Sequence, residues 1–329
     1  MPLPRHHRHA ARISTGPAGS AGGARLVLGA VDPQIGDHTG RTVIITGANS
    51  GIGLEAARAF ASRGARVVLA VRNPDNGAAA AQQLAGLPGQ VQVEQLDLAS
   101  LASVRDFAER IDRPIDVLVN NAGVMAPPRH RTTADGHELQ FGTNHLGHFA
   151  LTGLLLPQLR SAPAPRITTV SSIAHHRGDA RVVEGNPPEQ YSAQTAYGQS
   201  KLANLIFALE LARRAAAAAA TLVSTAAHPG VSRTNLFTSP DGMGGLNPVL
   251  RRMAPLVMRG LLPGPAEGAE AILYAATTAE SGSYTGPQRF GETRGPVGPA
   301  RMSEHAQDAA LAAALWERSE ALTGVSIRL

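Results

Sequence analysis

The stretch Thr42–Gly53 reads TVIITGANSGIG and decides the fold. It opens with a β-branched, apolar run that is typical of a buried strand and leads directly into a glycine-rich turn. Gly47, Gly51 and Gly53 allow the backbone to turn tightly and to approach a ligand closely. A helix is predicted directly after the turn, where its first N–H groups would face an anion. The stretch therefore predicts a strand, a pyrophosphate-binding turn and a helix in succession.

Downstream of this stretch, short β-branched runs alternate with longer helical stretches. That order is typical of repeated β-α-β units, which pair their strands in parallel and place helices on both faces of the sheet. The sequence predicts the α/β class, as a Rossmann-type doubly wound parallel sheet with a ligand crevice at the carboxyl ends of its strands. The predicted strands are Thr42–Thr46, Arg66–Ala70, Val91–Leu96, Val117–Asn120, Arg166–Val170 and Thr221–Ala226. The predicted helices are Ile52–Arg63, Asn76–Ala85, Leu101–Arg110, a long helix before Arg160, and Ala196–Ala219.

The chain divides into a short head and a single long domain. Residues 1–40 are rich in Gly, Ala, Ser, Arg and His, and we expect them to form a disordered extension. Residues 41–329 are expected to form the single domain. Within it, residues 231–264 are rich in Gly, Pro, Met and Leu, and they are too many and too apolar for an ordinary connection. We expect this segment to be a lid over a lipophilic substrate.

The positive charge of the chain is concentrated in its head. The first 30 residues contain four arginines and no acidic residue, so the remainder carries a net charge of about +1, against +5 for the whole chain. A nearly neutral body does not indicate nucleic-acid binding. The sequence has no cysteine, which excludes thiolate metal sites, and no apolar run approaches the ~18 residues that span a bilayer. We expect a cytoplasmic protein without a transmembrane segment.

The end of the second predicted strand bears on the choice of cofactor. Sites that bind NAD usually place an acidic residue there, which accepts hydrogen bonds from the ribose 2′-OH. This strand ends instead in Ala70, Val71 and Arg72. A guanidinium group pairs with a 2′-phosphate through charge-assisted hydrogen bonds. The sequence therefore predicts NADP(H) rather than NAD(H).

Tyr197 and Lys201 stand four residues apart on a predicted helix, so their side chains rise from one face. An ammonium near a phenol stabilises the phenolate, and we expect it to lower the tyrosine pKa from ~10. Lys201 is the only lysine among 30 basic residues. Because a compact ammonium differs chemically from a planar guanidinium, lysine at this one position favours a chemical role. Tyr197 is the predicted proton donor and acceptor.

These motifs resemble those of the short-chain dehydrogenase/reductase family. The glycine spacing of Thr46–Gly53 is similar to the spacing in that family, Asn120–Gly123 reproduces its Asn-Asn-Ala-Gly motif, and Asp97 and Leu98 resemble its adenine-contacting pair. The residues around Lys201, and the long gap that precedes them, resemble the retinol dehydrogenase and protochlorophyllide reductase branch. The resemblance spans nearly all of the chain apart from its head.

The resemblance implies a nicotinamide cofactor and identifies residues that would bind it. His228–Val231 resembles the family's Pro-Gly turn beside the nicotinamide carboxamide, and Thr234 follows this turn. The predicted cofactor-binding residues are Gly47, Asn49, Ser50, Gly51, Ile52, Gly53, Arg72, Asp97, Leu98, Asn121, Ala122, Gly123, Tyr197, Lys201, Pro229, Gly230, Val231 and Thr234.

The resemblance also implies a catalytic set of Asn144, Ser172, Tyr197 and Lys201, with Ser171 less favoured than Ser172. In the family's reaction, the substrate oxygen lies between the serine and the tyrosine while the nicotinamide transfers a hydride to or from carbon. The lysine holds the nicotinamide ribose, and the asparagine anchors a water molecule next to it. The expected function is the interconversion of an alcohol and a carbonyl.

Three other functions are less well supported by the sequence. A serine hydrolase would need a Gly-x-Ser-x-Gly elbow, and neither Gly47–Gly51 nor Gly198–Leu202 has that spacing. A non-catalytic NADP(H) sensor would keep the fold without needing the catalytic set. A sugar-nucleotide epimerase has related catalytic residues but matches the Asn-Asn-Ala-Gly motif less well.

Metal binding is not predicted. His145 and His148 are three residues apart on a predicted helix, which suits a metal, but the sequence suggests no third ligand. The expected partner is a small-molecule alcohol or carbonyl, and a homo-oligomer is expected by family analogy alone.

Overall fold

The computed structural model of the protein describes residues 35–231 and 264–329. Their strands form one sheet in the order β3-β2-β1-β4-β5-β6-β7-β8. The strands are β1 (Thr42–Thr46), β2 (Arg66–Val71), β3 (Gln90–Gln95), β4 (Val117–Asn120), β5 (Arg166–Val170), β6 (Val223–Ala227), β7 (Tyr284–Arg289) and β8 (Arg294–Pro299). Thr234 and nearly all of the expected lid lie outside the described residues.

The helices of the described residues cover both faces of the sheet. Within these same residues, no helix is both long and apolar enough to cross a membrane. The helices are α1 (Gly51–Ser62), α2 (Pro74–Gln83), α3 (Leu101–Arg110), α4 (Leu139–Phe141), α5 (Gly147–Leu154), α6 (Leu156–Arg160), α7 (Ala193–Ala217), α8 (Pro265–Thr277), α9 (Glu304–Gln307) and α10 (Ala309–Thr323).

The strand order creates a crevice next to β1. This strand pairs in parallel with β2 on one side and with β4 on the other, so the direction of winding reverses there. At such a switch point, the loops after neighbouring strands separate and leave a ligand site at their carboxyl ends. The predicted doubly wound parallel sheet is therefore confirmed. Only the pair β7 and β8, at one edge of the described sheet, is antiparallel.

Alternate residues of β1 face opposite helical layers, as the period of two in a strand requires. Val43 and Ile45 pack in a buried cluster that includes Phe60 of α1. Ile44, between them, packs in a second cluster that includes Phe107 of α3. All three β1 side chains are fully buried, which explains why the strand is apolar throughout rather than alternating.

The long helix predicted before Arg160 is present over residues 139–160, but the structure divides it into segments. The residues between α4 and α5, Gly142–Leu146, form a π-turn in which the Gly147 N–H bonds to the Gly142 carbonyl five residues back. A second break separates α5 from α6, and Pro157 stands in the first turn of α6. A proline has no backbone N–H to donate to the preceding turn, so it interrupts a continuous helix and suits a helix start.

The boundary expected at residue 40 also needs correction. Ile35 is buried in the cluster beside α1, and His38 is buried against the ring of Phe60. The His38 N–H donates a 2.8 Å hydrogen bond to the carbonyl of Arg63 at the end of α1. Residues 35–40 thus pack on the folded body, since Ile35 supplies apolar surface that composition alone did not reveal.

Candidate active site

A cavity of about 740 Å³ opens at the carboxyl ends of the strands and collects nearly all of the predicted site residues. The predicted residues that line it are Gly47, Asn49, Ser50, Gly51, Ile52, Gly53, Arg72, Asp97, Leu98, Asn121, Ala122, Gly123, Ser172, Tyr197, Lys201, Pro229, Gly230 and Val231. Residues far apart in the sequence therefore meet in one crevice.

The turn after β1 leaves room for a ligand because its glycines have no side chains. Gly47 has a φ of +66°, a left-handed conformation that other residues rarely adopt. A Cβ on Gly53 would lie 2.6 Å from Asn121 Nδ2 and 2.8 Å from the Gly47 carbonyl oxygen, so only glycine fits. Ser50 caps α1 without a side-chain hydrogen bond, and the first turn of that helix thus keeps N–H donors for an anion.

The loop after β4 is tied to the end of β1. The backbone N–H groups of Asn121 and Ala122 both donate 2.9 Å hydrogen bonds to Thr46 Oγ1. Asn121 Nδ2 also donates to the Thr46 carbonyl at 2.7 Å. These bonds fix the Asn-Asn-Ala-Gly motif against the glycine turn, so that both segments line one wall of the cavity.

Arg72 and Asp97 line the part of the cavity that is formed by the ends of β2 and β3. Asp97 Oδ1 accepts a 2.9 Å hydrogen bond from the Ala99 N–H, and the Asp97 N–H donates to Ser103 Oγ at 3.0 Å. The loop after β3 is therefore held in shape by its own side chains. Asn76, in the first turns of α2, lines the cavity alongside Arg72.

Tyr197 and Lys201 face the cavity from α7, as their spacing predicts. Burial raises the pKa of Tyr197 to about 12, and a hydrogen bond with the Ser172 side chain acts in the opposite direction. The net shift of the Tyr197 pKa is therefore upward, not downward as expected, because removal of the phenolate from water has the largest effect. Burial also lowers the pKa of Lys201 to about 8. Lys201 Nζ donates a 3.0 Å hydrogen bond to the Val170 carbonyl at the end of β5.

The two adjacent serines after β5 have different surroundings. Ser172 lines the cavity, and its Oγ accepts a 3.1 Å hydrogen bond from the Ala174 N–H. Ser171 is fully buried, and its hydroxyl donates to the Lys201 carbonyl at 2.7 Å. Both serines border the cavity, but Ser171 binds α7 to the sheet, whereas the Ser172 side chain acts on the pKa of the Tyr197 phenol.

Asn144 lies behind the cavity wall, in the π-turn between α4 and α5. Its Oδ1 accepts the Val124 N–H at 2.8 Å, and its Nδ2 donates to the Val124 carbonyl at 3.0 Å. Nδ2 also lies 2.9 Å from Ser200 Oγ on α7. The side chain of Asn144 is fully occupied in joining the loop after β4 to the helix that carries Tyr197.

Several residues around the cavity were not singled out from the sequence. Val124, Met125, Leu139 and Ile173 give part of the wall an apolar character, and Arg131 and Thr143 also line it. Val124 and Ile173 each directly follow a predicted motif, so extending each motif by one residue would have included them. Nothing in the local pattern around Arg131 or Leu139 indicated a place in the site.

Three buried histidines lie behind the site, and none of them was predicted to be catalytic. His175 Nδ1 lies 2.8 Å from the Ser172 carbonyl, and its Nε2 accepts the Ser303 N–H at 3.2 Å. His228 Nδ1 accepts the Gly230 N–H at 3.2 Å. The third is His148, which contacts Thr46 and Asn144. The described residues contain no group of three or more His, Asp or Glu side chains placed to hold a metal ion.

The shape of the crevice and its backbone N–H donors fit a dinucleotide cofactor. Glycines stand where a Cβ would fill the floor, and the start of α1 keeps N–H groups for a pyrophosphate. The cavity then continues to the wall that carries Tyr197.

Comparison with known proteins settles the family. A family model described as short chain dehydrogenase matches residues 41–241. The chain belongs to the short-chain dehydrogenase family. Members of this family are oxidoreductases that act on CH–OH and C=O groups, and this short-chain dehydrogenase is one of them. The predicted resemblance is therefore confirmed.

The relatives of this short-chain dehydrogenase place it in the retinol dehydrogenase-like branch. It is 38% identical over 318 residues to retinol dehydrogenase 13 of Homo sapiens, which covers 93% of each chain. It is 38% identical over 302 residues to retinol dehydrogenase 14 of Mus musculus, covering 87% of this chain and 86% of the relative. The branch predicted from the residues around Lys201 is confirmed.

Solved structures share the fold of this short-chain dehydrogenase. An uncharacterized protein from Mycobacterium paratuberculosis is 44% identical, with a TM-score of 0.74 over 89% of this chain and 97% of that one. A Shigella flexneri 2a short chain dehydrogenase complexed with NADP is 23% identical, with a TM-score of 0.58 over 75% of this chain and 96% of that one. The second likeness bears on the fold alone.

Proposed function

We propose that this short-chain dehydrogenase interconverts a lipophilic alcohol and its carbonyl with NADP(H), and that Tyr197 is the proton donor and acceptor. The single observation that carries the proposal is that Ser172, Tyr197 and Lys201 line the same cavity as the glycine turn. A substrate placed against Tyr197 would thus lie in the same cavity as a dinucleotide bound at the start of α1.

The surroundings of Tyr197 suit it for donating a proton to a carbonyl oxygen. Because burial raises its pKa to about 12, the phenol is protonated at neutral pH. Ser172, whose side chain lowers the pKa of the same phenol, would orient the substrate oxygen. Lys201 is charged below its pKa of about 8, and its ammonium would stabilise the phenolate that proton donation leaves behind. When bound, a nicotinamide cofactor supplies or accepts the hydride at the substrate carbon.

The preference for NADP(H) rests on the charge at the end of β2. Arg72 lines the cavity there, and Asp97, after β3, is the one acidic residue among the described lining residues. An arginine at this strand end pairs with a 2′-phosphate, whereas NAD-binding sites usually have a carboxylate in its place. Asn76 adds a neutral amide beside Arg72 and brings no negative charge.

The lipophilic substrate class rests on the wall of the cavity near the reacting groups. Val124 and Met125 follow the Asn-Asn-Ala-Gly motif, Ile173 follows Ser172, and Val231 follows the Pro-Gly turn, and all four line the cavity. Apolar side chains next to the reacting groups favour an apolar substrate chain over a sugar. The names of the relatives, which are retinol dehydrogenases, support the same class.

The test is consumption of NADPH across a panel of long-chain aldehydes, ketones and quinones, with wild type, Tyr197→Phe and Tyr274→Phe. Tyr274 lies on α8, outside the cavity lining, so its variant is a matched control for loss of a phenol hydroxyl. We expect Tyr197→Phe to abolish turnover and to bind NADPH nearly as wild type does, with Tyr274→Phe fully active. Turnover retained by Tyr197→Phe would remove the assignment, and NADPH binding without turnover by wild type would favour a sensor. A cytoplasmic location and a homo-oligomer stay predictions, to be measured by fractionation and light scattering.

A further inference from the structure

A buried histidine connects the end of β1 with the π-turn that contains Asn144. His148 lies on α5 and is 1% exposed. Its Nε2 is 2.8 Å from Thr46 Oγ1, and its Nδ1 is 2.8 Å from the carbonyl oxygen of Asn144. Both ring nitrogens are thus engaged, although neither contacts the cavity directly.

The hydrogen bonds of Thr46 determine which ring nitrogen of His148 carries the proton. Thr46 Oγ1 accepts two backbone N–H groups, from Asn121 and Ala122, which occupy its two lone pairs. Its own proton therefore goes to an acceptor, and His148 Nε2 at 2.8 Å is closer than the Val119 carbonyl at 3.4 Å. Nε2 is then unprotonated, and the neutral ring donates from Nδ1 to Asn144.

The neutral ring is also the stable one in this environment. Burial lowers the pKa of His148 to about 4, with the nearby charge of Lys201 acting in the same direction. At neutral pH the imidazole keeps one proton, and the donor and acceptor arrangement around it stays fixed. A protonated ring could not accept from Thr46.

From Asn144, a further set of hydrogen bonds leads to the helix that carries Tyr197. Asn144 Nδ2 lies 2.9 Å from Ser200 Oγ, and Ser200 Oγ donates to the Tyr197 carbonyl at 2.8 Å. Asn144 is part of the π-turn, where the Gly147 N–H bond reaches back to Gly142. Such turns are local distortions that occur often at functional sites and need support from their surroundings.

We propose that His148 is a positioning residue, which holds the loop of Asn121 and Ala122 and the backbone of Asn144 in one hydrogen-bonded chain. Its acceptor nitrogen, Nε2, accepts from Thr46, which holds the loop of Asn121 and Ala122 that lines the cofactor crevice. Its donor nitrogen, Nδ1, donates to the carbonyl of Asn144, which is joined to the helix that carries Tyr197. The inference rests on the proposed function for the roles of these two sides. It goes beyond that function by assigning separate tasks to the two nitrogens of one ring.

Two variants separate these tasks, because each places a hydrogen-bonding amide at the position of only one of the two ring nitrogens. In His148→Asn, the side-chain amide reaches the position of Nδ1 and can donate to Asn144, but the contact with Thr46 is lost. In His148→Gln, the amide reaches the position of Nε2 and can accept from Thr46, but the contact with Asn144 is lost. We expect His148→Gln to lower kcat about tenfold or more, because small displacements of reacting groups are costly, with the Kd for NADPH near wild type. We expect His148→Asn to raise the Kd for NADPH about fivefold, as for one lost hydrogen bond, with a smaller fall in kcat.

A neighbouring histidine supplies the control for loss of stability. His145 is also 1% exposed, and its Nε2 lies 2.8 Å from Ser319 Oγ on α10, away from the cavity lining. His145→Leu removes a buried imidazole of the same helical segment, and we expect kcat and Kd near wild type with a lower Tm. The proposal is overturned if both His148 variants change kcat and Kd by the same factor, or if both behave like His145→Leu.

Thr46, the hydrogen-bond donor to His148, gives a second test that does not require a folded His148 variant. Thr46→Val removes the hydroxyl that donates to His148, whereas Thr46→Ser keeps it. Fluorescence titration should show weaker NADPH binding by Thr46→Val and near wild-type binding by Thr46→Ser, without any need for turnover. Equal NADPH binding by these two variants would contradict the inference. The proposed function fails separately, if wild type shows no turnover or Tyr197→Phe remains active.

Discussion

The ammonium nitrogen of Lys201 lies 5.8 Å from the centre of the Tyr197 ring. The two side chains are one helical turn apart on α7, and both point into the cavity from the same face. Burial acts on them in opposite senses, since it raises the pKa of the phenol and lowers the pKa of the ammonium. The neutral form of each group is therefore favoured. The pKa of the phenol, about 12, and the pKa of the ammonium, about 8, are shifted in the directions opposite to those that attraction between a phenolate and an ammonium would give.

The first prediction concerns the pH dependence of carbonyl reduction. As pH rises past about 8, Lys201 loses its proton, and the phenolate formed at Tyr197 loses the charge that stabilises it. We expect kcat for reduction to be level at neutral pH and to fall above about 8, while Tyr197 itself stays protonated. The measurement is kcat with saturating NADPH from roughly pH 6 to pH 10, a range that brackets the lysine transition. A rate that rises across this range would contradict the proposed role of Lys201.

The second prediction concerns cofactor choice. In Arg72→Asp, a carboxylate replaces the guanidinium at the end of β2 and repels a 2′-phosphate while accepting a ribose hydroxyl. We expect the ratio of kcat/KM for NADPH to that for NADH to fall about 100-fold, as for loss of a charge-assisted contact plus repulsion. Arg160→Asp is the control, because Arg160 is exposed on α6 and outside the cavity lining. An unchanged ratio for Arg72→Asp would show that this arginine does not contact the phosphate.

Most of the parallel sheet could be predicted because each of these strands has a recognisable local sequence pattern. The predicted and observed bounds agree at Val117–Asn120 and Arg166–Val170, where β-branched residues are flanked by polar or proline-containing loops. The hairpin of β7 and β8 was missed. Its strands Tyr284–Arg289 and Arg294–Pro299 contain glycine and proline, which local propensity counts against a strand. The pairing of β7 with β6, in which Tyr284 lies opposite Ala226, overrides that propensity.

The site divides in the same way between local motifs and tertiary contacts. Gly47, Tyr197 and the other predicted lining residues belong to short motifs whose spacing already places them at the sheet edge. The position of Asn144 behind the wall, and the π-turn around it, depend on contacts with α7 that no local pattern records. The partners of His148 are Thr46 and Asn144, which lie at the end of β1 and in the π-turn before α5, and a lone histidine gives no sign of them.

The third prediction is that the protein loses stability in mild acid. Burial is the main cause that lowers the pKa of His145 to about 3 and those of His148, His175 and His228 to about 4. In the unfolded chain these rings would titrate near ~6.5. Below that pH the unfolded state binds protons that the native state does not, so the free energy of unfolding falls as pH falls toward about 4. The check is Tm measured from roughly pH 7.5 down to pH 4.5.

A single substitution tests the origin of that loss. The His145 ring packs against the rings of Phe141, Phe149 and Phe207, so phenylalanine suits its surroundings. Since His145→Phe removes one titrating group, its Tm should fall less steeply with acid than that of wild type. The same steepness in both proteins would show that this histidine does not cause the loss.

The fourth prediction concerns the floor of the crevice. In Gly53→Ala, the added methyl group would lie 2.6 Å from Asn121 Nδ2 and 2.8 Å from the Gly47 carbonyl oxygen, so the turn or the loop must move. We expect the Kd for NADPH to rise about tenfold or more, from an overpacking cost of ~1–3 kcal/mol at the binding wall. Gly36→Ala is the matched control, because no atom lies within 4 Å of the position of its Cβ.

Comparing Tm with and without NADPH separates binding from folding in these two variants. A ligand raises Tm only through its affinity for the native state, so a weaker Kd reduces the increase even when the starting Tm is unchanged. Gly53→Ala should therefore gain less Tm from saturating NADPH than wild type gains, and Gly36→Ala should gain as much. Because Asn121 Nδ2 donates to the Thr46 carbonyl, a displaced loop would also weaken the contact between β1 and the Asn-Asn-Ala-Gly motif. An equal gain in Tm for all three proteins would mean that the glycine at 53 leaves no space that the cofactor uses.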